Sequence, residues 1–430
     1  MTKPRILMLG WEFPPNITGG LGVACYHIVK SLGSLAPVTM ILPTVASGVR
    51  LRGVRLIGIG NLELETIFTK KEREQIRSKF RKRFSKLALS PYPVGISGGK
   101  ILQKSSRVLR KRKISFPLKN ILDGTELYGD DVVGKVEFFA EICGKMIRKI
   151  DFDIIHAHDW MTFPAALEIK KLTGKPLVLH IHSLNTDRVG LADQGWVFRI
   201  EKEALHKADL ILPVSHYTGD MIREHYGIRK NKIHPVHNGV RKMKAFSIPK
   251  KFPEKLVLFL GRITYQKGPG YFLDVAARIA ARHDNIRFVV AGGGDKFARM
   301  IEEGAYRELG KKLHFTGPVD RKKVRELLAM ADVFVMPSVS EPFGLVALEA
   351  AQFGIPVILS KRAGAAEVLK GALKVDYWDI DKMESSIIRL ISDDKFRENV
   401  VKQELKDLEK LSWEKTAGNI LSAYSKIRGL

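Results

Sequence analysis

Cysteine is nearly missing from this 430-residue chain, which has only Cys25 and Cys143. Two cysteines cannot build a disulfide framework or a cysteine-only metal site. Both lie in apolar, helix-like surroundings that suit buried thiols in a reducing compartment. Long apolar runs are missing too: none approaches the roughly 20 residues that a membrane-spanning helix requires. The sequence opens straight into a strand, Arg5–Leu9, without the basic stretch and apolar core of a cleaved leader. A cytoplasmic location is therefore expected, with peripheral attachment at a membrane as the alternative. The 45% apolar and 27% charged content is otherwise that of a soluble globular protein long enough for two domains.

Acidic residues are scarce in one place above all. Between Thr66 and Asn120 there are seventeen Lys or Arg against two Glu, a net of +15 within a chain of net charge +26. The basic residues fall into two stretches, Lys70–Lys86 and Lys100–Lys113, around Pro91-Tyr92-Pro93 and Gly98-Gly99. A solvated helical hairpin or loop fits this composition. So does a surface for an anionic membrane or an acidic glycan. Specific nucleic-acid reading is not expected, because Phe80 and Phe84 are too few and no reading module is matched.

What is present is a repeated alternation of strand and helix, the pattern of parallel α/β sheets. In the first half, Arg5–Leu9, Val38–Leu42, Asp153–His156, Leu177–His180, Leu210–Pro213 and Ile233–Val236 read as strands. Helices are expected at Gly22–Leu35, Phe163–Lys171, Gln194–His206 and Tyr217–Tyr226. The second half restarts with strands at Leu256–Leu260, Arg287–Ala291, Leu313–Phe315, Val333–Met336 and Pro356–Leu359. The polar, Pro-containing stretch from Arg241 to Glu254 reads as a linker. The expected organisation is thus a domain over 1–240 carrying the basic insert 66–120, a second over 255–410, and a final helix over 411–430 packing back on the first.

The most informative segment runs from Pro337 to Ala350. It reads as strand, loop and helix N-terminus, with Glu341 at the cap, Pro342 in the first turn, and Glu349 two turns in. Eight residues of helical rise would separate the two carboxylates by about 12 Å, wider than the pair of a glycosidase. Each glutamate is therefore expected to hold a different part of one extended ligand. Backbone N–H groups from Phe343 to Val346 would suit a phosphate between them.

Other candidates sit at strand ends, where open α/β sheets bind ligands. Arg262 and Lys267, in Gly261–Gly268, could clamp a diphosphate and stabilise charge on a leaving phosphate. Ala291-Gly292-Gly293-Gly294-Asp295 fits either a turn or a nucleotide contact. Gly19-Gly20-Leu21-Gly22, after the loop Trp11–Pro15, fits a tight turn or a close approach to phosphate. It lacks the dinucleotide G-x-G-x-x-G spacing. His156-Ala157-His158-Asp159-Trp160 reads as a polar cluster for a hydroxyl-rich substrate rather than a metal site, for want of a clear third ligand. In His180-Ile181-His182, alternation puts both rings on one side, one of them in the core.

Together these motifs resemble the retaining glycosyltransferases of GT-B architecture, which pair two Rossmann-like domains whose parallel sheets face a central cleft. The resemblance is to the group 1 families and to the glycogen and starch synthases. It rests on Glu341-x7-Glu349 with Gly261-Arg262-x4-Lys267-Gly268 upstream. Trp11–Pro15, His158-Asp159-Trp160 and Asn238-Gly239-Val240 point to the glycogen-synthase-like group. The resemblance implies that Arg262 and Lys267 grip the donor diphosphate and that Glu341 touches the donor sugar. It gives the backbone of Gly344, Leu345 and Val346 to phosphate oxygens and Glu349 to the ribose. His182 would present its carbonyl to the anomeric carbon, Asp159 would lie on the acceptor side, and Gly19 and Gly20 would form the loop over the phosphates. The co-substrate implied is a nucleoside diphosphate sugar, UDP- or ADP-glucose. Bacterial glycogen and starch synthases carry Lys-x-Gly-Gly in that loop, and Ile17 stands here in place of the lysine, which points from ADP- towards UDP-sugars. No Asp-x-Asp motif is assigned to the site, and no metal or other cofactor is expected. A lipid or envelope saccharide acceptor at a membrane surface is the alternative to a glycan, on the strength of the basic insert.

Overall fold

The computed structural model of the chain describes residues 3–17, 19–62, 68–72, 74–75, 122, 127–129, 131–250, 252–294 and 296–427. Most of the basic insert 66–120, and with it the expected hairpin or anionic surface, lies outside the described residues, as does Asp295. Among the described residues no helix is long and apolar enough to cross a membrane.

The chain divides into two units, each built on its own six-stranded sheet. Unit 1 holds β1 (Ile6–Leu9), β2 (Val38–Leu42), β3 (Val54–Gly58), β4 (Ile154–His158), β5 (Leu177–Ile181) and β6 (Leu210–Pro213). Unit 2 holds β7 (Lys255–Leu260), β8 (Ile286–Ala291), β9 (Leu313–Gly317), β10 (Val333–Met336), β11 (Val357–Ser360) and β12 (Leu373–Val375). All pairings are parallel. The strand orders are β3-β2-β1-β4-β5-β6 and β12-β11-β10-β7-β8-β9. Counted within each unit, both are the doubly wound order 3-2-1-4-5-6. Central strands such as β1, β4, β5 and β10 are buried at every residue, which is why they read as unbroken apolar runs rather than alternating ones.

Three expectations need correcting. Ile233–Val236 is not a strand: Ile233 forms a single bridge to Ile211, and His234 and Val236 each donate one backbone bond to the β6 backbone. Pairing with β6 is thus limited to these two alternate amides and one bridge, too little for a strand. Conversely β3 and β12 exist where no strand was expected. Both are edge strands with mixed burial, so neither shows the apolar run or the clean alternation that marks a strand in sequence. The division of the chain is also less simple than one linker. Unit 1 is Met1–Pro213, Met221–Val236 and Glu414–Leu430, and unit 2 is Val214–Asp220 and His237–Trp413. Two short stretches of the expected first domain, 214–220 and 237–240, therefore fall in unit 2.

In unit 1 the helix Trp413–Tyr424 brings Tyr424 against β4, where its hydroxyl lies 2.5 Å from His156 Nδ1. In unit 2, Gly239 fits so closely against the backbone of Ser412 and Trp413 that a Cβ would lie 2.4 Å from it.

Candidate active site

A doubly wound sheet leaves a crevice at the C-terminal ends of its first and fourth strands, where the chain turns to opposite faces. In unit 2 those strands are β7 and β10, and the loops that follow them are the two strongest sequence motifs. The loop after β7 closes with a short 3-10 turn, Tyr265–Lys267, and then Gly268 at φ 67°. A Cβ on Gly268 would lie 2.1 Å from the Pro337 carbonyl oxygen. Only glycine suits both that backbone conformation and that approach. Val339 and Ser340 donate backbone bonds to the Gln266 carbonyl at 2.9 and 3.4 Å, which completes the seam. Lys267 consequently meets Glu341, Nζ to Oε2, at 2.5 Å. Glu341 is buried, and the Ser338 hydroxyl stands 3.5 Å from the same carboxylate oxygen. Arg262, on the same loop, is exposed and makes no ion pair among the described residues.

The helix after β10 starts at Leu345, as the sequence implies for Leu345–Phe353, but its cap is not Glu341. Leu345–Gln352 is helical and Gly344, at φ 98°, is its N-cap. Pro342 is thus outside the first turn, and Glu341 stands three residues before the cap. The reason is tertiary: Glu341 pairs with Ala363 in a parallel bridge. Its N–H donates to the Arg362 carbonyl at 3.0 Å, and its carbonyl accepts from Gly364 at 2.9 Å. Those bonds hold Glu341 in a strand-like bridge outside the helix, so the 12 Å helical separation does not apply. The first-turn amides of Leu345 and Val346 have no helical carbonyl to pair with, and both residues are half-buried. Glu349 faces Arg321 at 3.7 Å, and burial raises its carboxyl while Arg321 pulls it back down. In the Gly292 turn, a Cβ would lie 1.8 Å from the Gly261 carbonyl, so at least that glycine serves the packing of the β7 and β8 loops.

Two family patterns match this chain: Glycosyl transferases group 1 over residues 240–407 and Glycosyltransferase Family 4 over residues 133–242. An uncharacterized glycosyltransferase of Methanocaldococcus jannaschii is 29% identical over 443 residues, 98% of this chain and 97% of that one. A glycogen synthase of Mycobacterium tuberculosis is 25% identical over 376 residues, 85% of this chain and 80% of that one. Anabaena HepE, solved in complex with UDP and glucose, superposes with a TM-score of 0.62 at 15% identity, covering 98% of this chain and 99% of that one. The chain carries group 1 and Family 4 glycosyltransferase regions on a GT-B fold.

In unit 1 of this glycosyltransferase the matching strand ends are those of β1 and β4, with β5 beside them. Gly19, extended at φ −170°, caps the helix Gly20–Gly33, and both Gly19 and Gly20 are exposed. The first turn carries no acidic residue, so the helix N-terminus is open to an anion. Trp11 and Glu12, in the loop before it, are buried, and the Tyr128 hydroxyl donates to Glu12 Oε1.

Asp159 is the one described non-glycine residue at positive φ, 57°. It is buried, and its Oδ1 accepts from the His182 N–H at 2.7 Å and the Ser183 N–H at 3.4 Å. The sequence puts Asp159 on the acceptor side. The structure turns its carboxylate onto the backbone of the His182 loop, where it positions that residue. Burial pushes the Asp159 carboxyl up to about 7, although the two amides oppose the rise.

The histidines are all on one face of the sheet, because His158 is in register with His180 and each pair is two residues apart. The rings stack, with His180 and His182 at 4.6 Å and 9°. His156 Nε2 lies 3.2 Å from His180 Nδ1, and His158 Nδ1 lies 2.9 Å from His182 Nε2. Burial holds all four neutral, His182 at about 3 and the others well below the usual histidine range. The third ligand that the sequence did not reveal is thus present in space. Nitrogens of His156, His158 and His180 lie within 4.8 Å of one another, as do Cys25, His158 and His182. In each triple, two of the rings are already hydrogen-bonded to each other. The Cys25 thiol is pushed up by burial and then by the charges of Asp159 and Glu12. Asp-x-Asp triplets do occur, but Asp151 and Asp153 pair with Arg5, while Asp379 caps a helix and Asp381 pairs with Arg278.

Sequence reasoning missed Glu367. Its carboxylate accepts from the amides of His216 at 2.9 Å and Tyr217 at 2.8 Å, and lies 2.6 Å from His237 Nε2. Burial alone would raise its carboxyl, but the bonds from His237, Tyr217 and His216 hold it below the usual carboxylate range. The segment so held reaches the loop after β10: the Ser215 hydroxyl donates to the Pro342 carbonyl at 2.7 Å, and the Tyr217 and Ser340 hydroxyls are 2.9 Å apart. Partners 123 to 151 residues apart leave no local signal.

Proposed function

We propose that this glycosyltransferase is a retaining, metal-independent hexosyltransferase that moves a glucosyl unit from a nucleoside diphosphate sugar to a glycan, in the manner of glycogen synthases. The observation that carries the reading is the meeting of Lys267 and Glu341 at 2.5 Å at the switch point of unit 2, with Arg262 exposed on the same loop. Lys267 and Arg262 take the diphosphate, whose negative charge grows as the anomeric carbon–oxygen bond breaks. Glu341, released in part from Lys267 by the incoming phosphates, accepts from sugar hydroxyls. The amides of Leu345 and Val346 hold phosphate oxygens, Glu349 takes the ribose in competition with Arg321, and Gly19 and Gly20 lie over the phosphates. His182 offers its backbone carbonyl to the anomeric carbon, and Asp159 sets the position of that carbonyl. No carboxylate is assigned as nucleophile, so the acceptor oxygen attacks on the face the diphosphate leaves. The acceptor proton passes to the departing phosphate oxygen. UDP-glucose is the favoured donor: Ile17 replaces a lysine in the glycine loop, and the similar Anabaena fold holds UDP and glucose.

The test is transfer from UDP-, ADP- and GDP-glucose to glycogen, with and without EDTA, and NMR of the new linkage. The expected result is an α-linked product from UDP-glucose that is indifferent to EDTA. An inverted linkage, or loss of activity with EDTA, overturns the mechanism. A second reading, transfer to a lipid or envelope saccharide at a membrane, is favoured by the +15 of residues 66–120. It requires transfer to lipid acceptors and salt-sensitive binding to anionic vesicles that is lost when 66–120 is deleted.

A further inference from the structure

Unit 2 carries an aromatic cluster for which neither the fold nor the donor site has a use. Tyr265 is 66% exposed and Trp378 53%, unusual for side chains of this size. They belong to one group. Burial and then its neighbour Tyr265 raise the Tyr271 phenol. The Tyr271 and Tyr377 rings stand 5.0 Å apart at 66°, and those of Tyr377 and Trp378 4.6 Å apart at 88°. The Arg362 guanidinium lies over both of the latter, 5.3 Å from the Tyr377 centroid and 5.6 Å from that of Trp378. Edge-on packing and a cation–π contact fix the rings without covering them.

The cluster adjoins the donor loops. Tyr265 opens the turn that ends in Lys267, and the Arg362 carbonyl accepts the Glu341 N–H at 3.0 Å. Its members follow β7, β11 and β12 at the C-terminal edge of the same sheet.

We propose that Tyr265, Tyr271, Tyr377, Trp378 and Arg362 form a platform that binds a neutral glycan chain beside the donor loops. A pyranose ring presents an apolar face of C–H bonds, which suits an open aromatic ring, and a rim of hydroxyls, which suits phenols and a guanidinium. The cations here are already engaged. Lys361 pairs with Asp376 at 2.7 Å, Arg278 pairs with Asp381, and Arg362 lies over the Tyr377 and Trp378 rings. A phosphate-rich surface would have to displace those partners, whereas an uncharged glycan does not. This inference deepens the glycan-acceptor reading and rests on it for the choice of ligand, but its test is independent of catalysis.

Trp378 supplies the readout, because Trp11, Trp160 and Trp413 are buried and Trp196 is half-buried. The full chain, without donor, is titrated with maltoheptaose and with glycogen while tryptophan fluorescence is followed. The expected result is a saturable change, absent in Trp378→Ala and at least five-fold weaker in Tyr265→Ala. In turnover, Trp378→Ala should raise the KM for glycogen about tenfold while hydrolysis of the nucleotide sugar without acceptor stays within twofold. No fluorescence response to either glycan in the wild type overturns the proposal, as does unchanged glycan affinity in Trp378→Ala. So does a loss, in Trp378→Ala, of self-association by light scattering or of binding to phosphatidylserine vesicles in place of glycan binding. If no donor supports transfer but the glycan response persists, the transferase reading fails and the platform stands.

Discussion

The two units share a strand order and a switch point, yet they treat the polar groups at those strand ends in opposite ways. Unit 1 buries His156, His158, His180, Asp159 and Glu12 and half-buries His182, and desolvation keeps the four histidines neutral. Unit 2 keeps a charged pair, Lys267 and Glu341, with Arg262 exposed beside it. The same topology therefore serves two physical ends. A neutral, hydrogen-bonded cluster fixes the position of a backbone, because its geometry is set by packing and by directional bonds. A charge pair at a partly open strand end can exchange one partner for an incoming phosphate, because charge is attracted over distance and with little regard to angle.

If that contrast holds, single substitutions should fail differently in the two units. The largest effect is expected at the charge pair. Lys267→Ala and Glu341→Ala should each lower transfer about 10²–10³-fold, the range for one electrostatic stabiliser, with circular dichroism unchanged. Turnover near the wild-type rate in either variant would remove the donor-site assignment. Next comes Asp159. Replacing it with Ala leaves the buried His182 and Ser183 amides without an acceptor and keeps a side chain at φ 57°. A loss of about 1–3 kcal/mol in urea unfolding is expected. Asp159→Asn retains an oxygen and tolerates the left-handed region, so it should recover most of that loss and of kcat. Equal damage from both would show that charge, not position, is what Asp159 supplies.

The smallest effect is the pH dependence of unit 1. The four histidines have folded values below the ordinary 6.5, so below that pH the unfolded chain binds protons that the folded chain does not. Stability is then full above about pH 6.5 and falls as the pH drops, by up to about 1.4 kcal/mol per pH unit for each histidine. Asp159, raised to about 7, and Glu404, raised to about 8, act in the opposite sense. Each loses stability as the pH rises from the ordinary carboxylate range to its folded value. His180→Leu should flatten the slope of unfolding free energy between pH 6.5 and 5, whereas Lys267→Met should leave it unaltered. An unchanged slope in His180→Leu would mean that the stack protonates while folded.

Much of this molecule is legible along the chain. Ten of the twelve strands follow from buried apolar runs, and the four loops at the switch points follow from glycines, cations and carboxylates just beyond them. The missed strands β3 and β12 are edge elements with mixed burial, where periodicity is weak. The false strand at Ile233–Val236 makes one bridge and two backbone bonds to β6 and goes no further. Pro342 looks like a first-turn proline, and only the bridge from Glu341 to Ala363 keeps it out of the helix.

The sequence by itself determined the alternation of strand and helix in two halves and which residue types stand just past the strands, because burial period and turn chemistry are local properties. Tertiary structure alone decided what those residues meet. Lys267 reaches Glu341 through the close approach of Gly268 to Pro337. Asp159 faces the backbone of His182 rather than solvent. Glu367 draws His216, Tyr217 and His237 together, and Arg362 holds Tyr377 and Trp378 upright beside Glu341. Each of these contacts joins parts of the chain brought together by the sheet, and a contact made across space has no period to read.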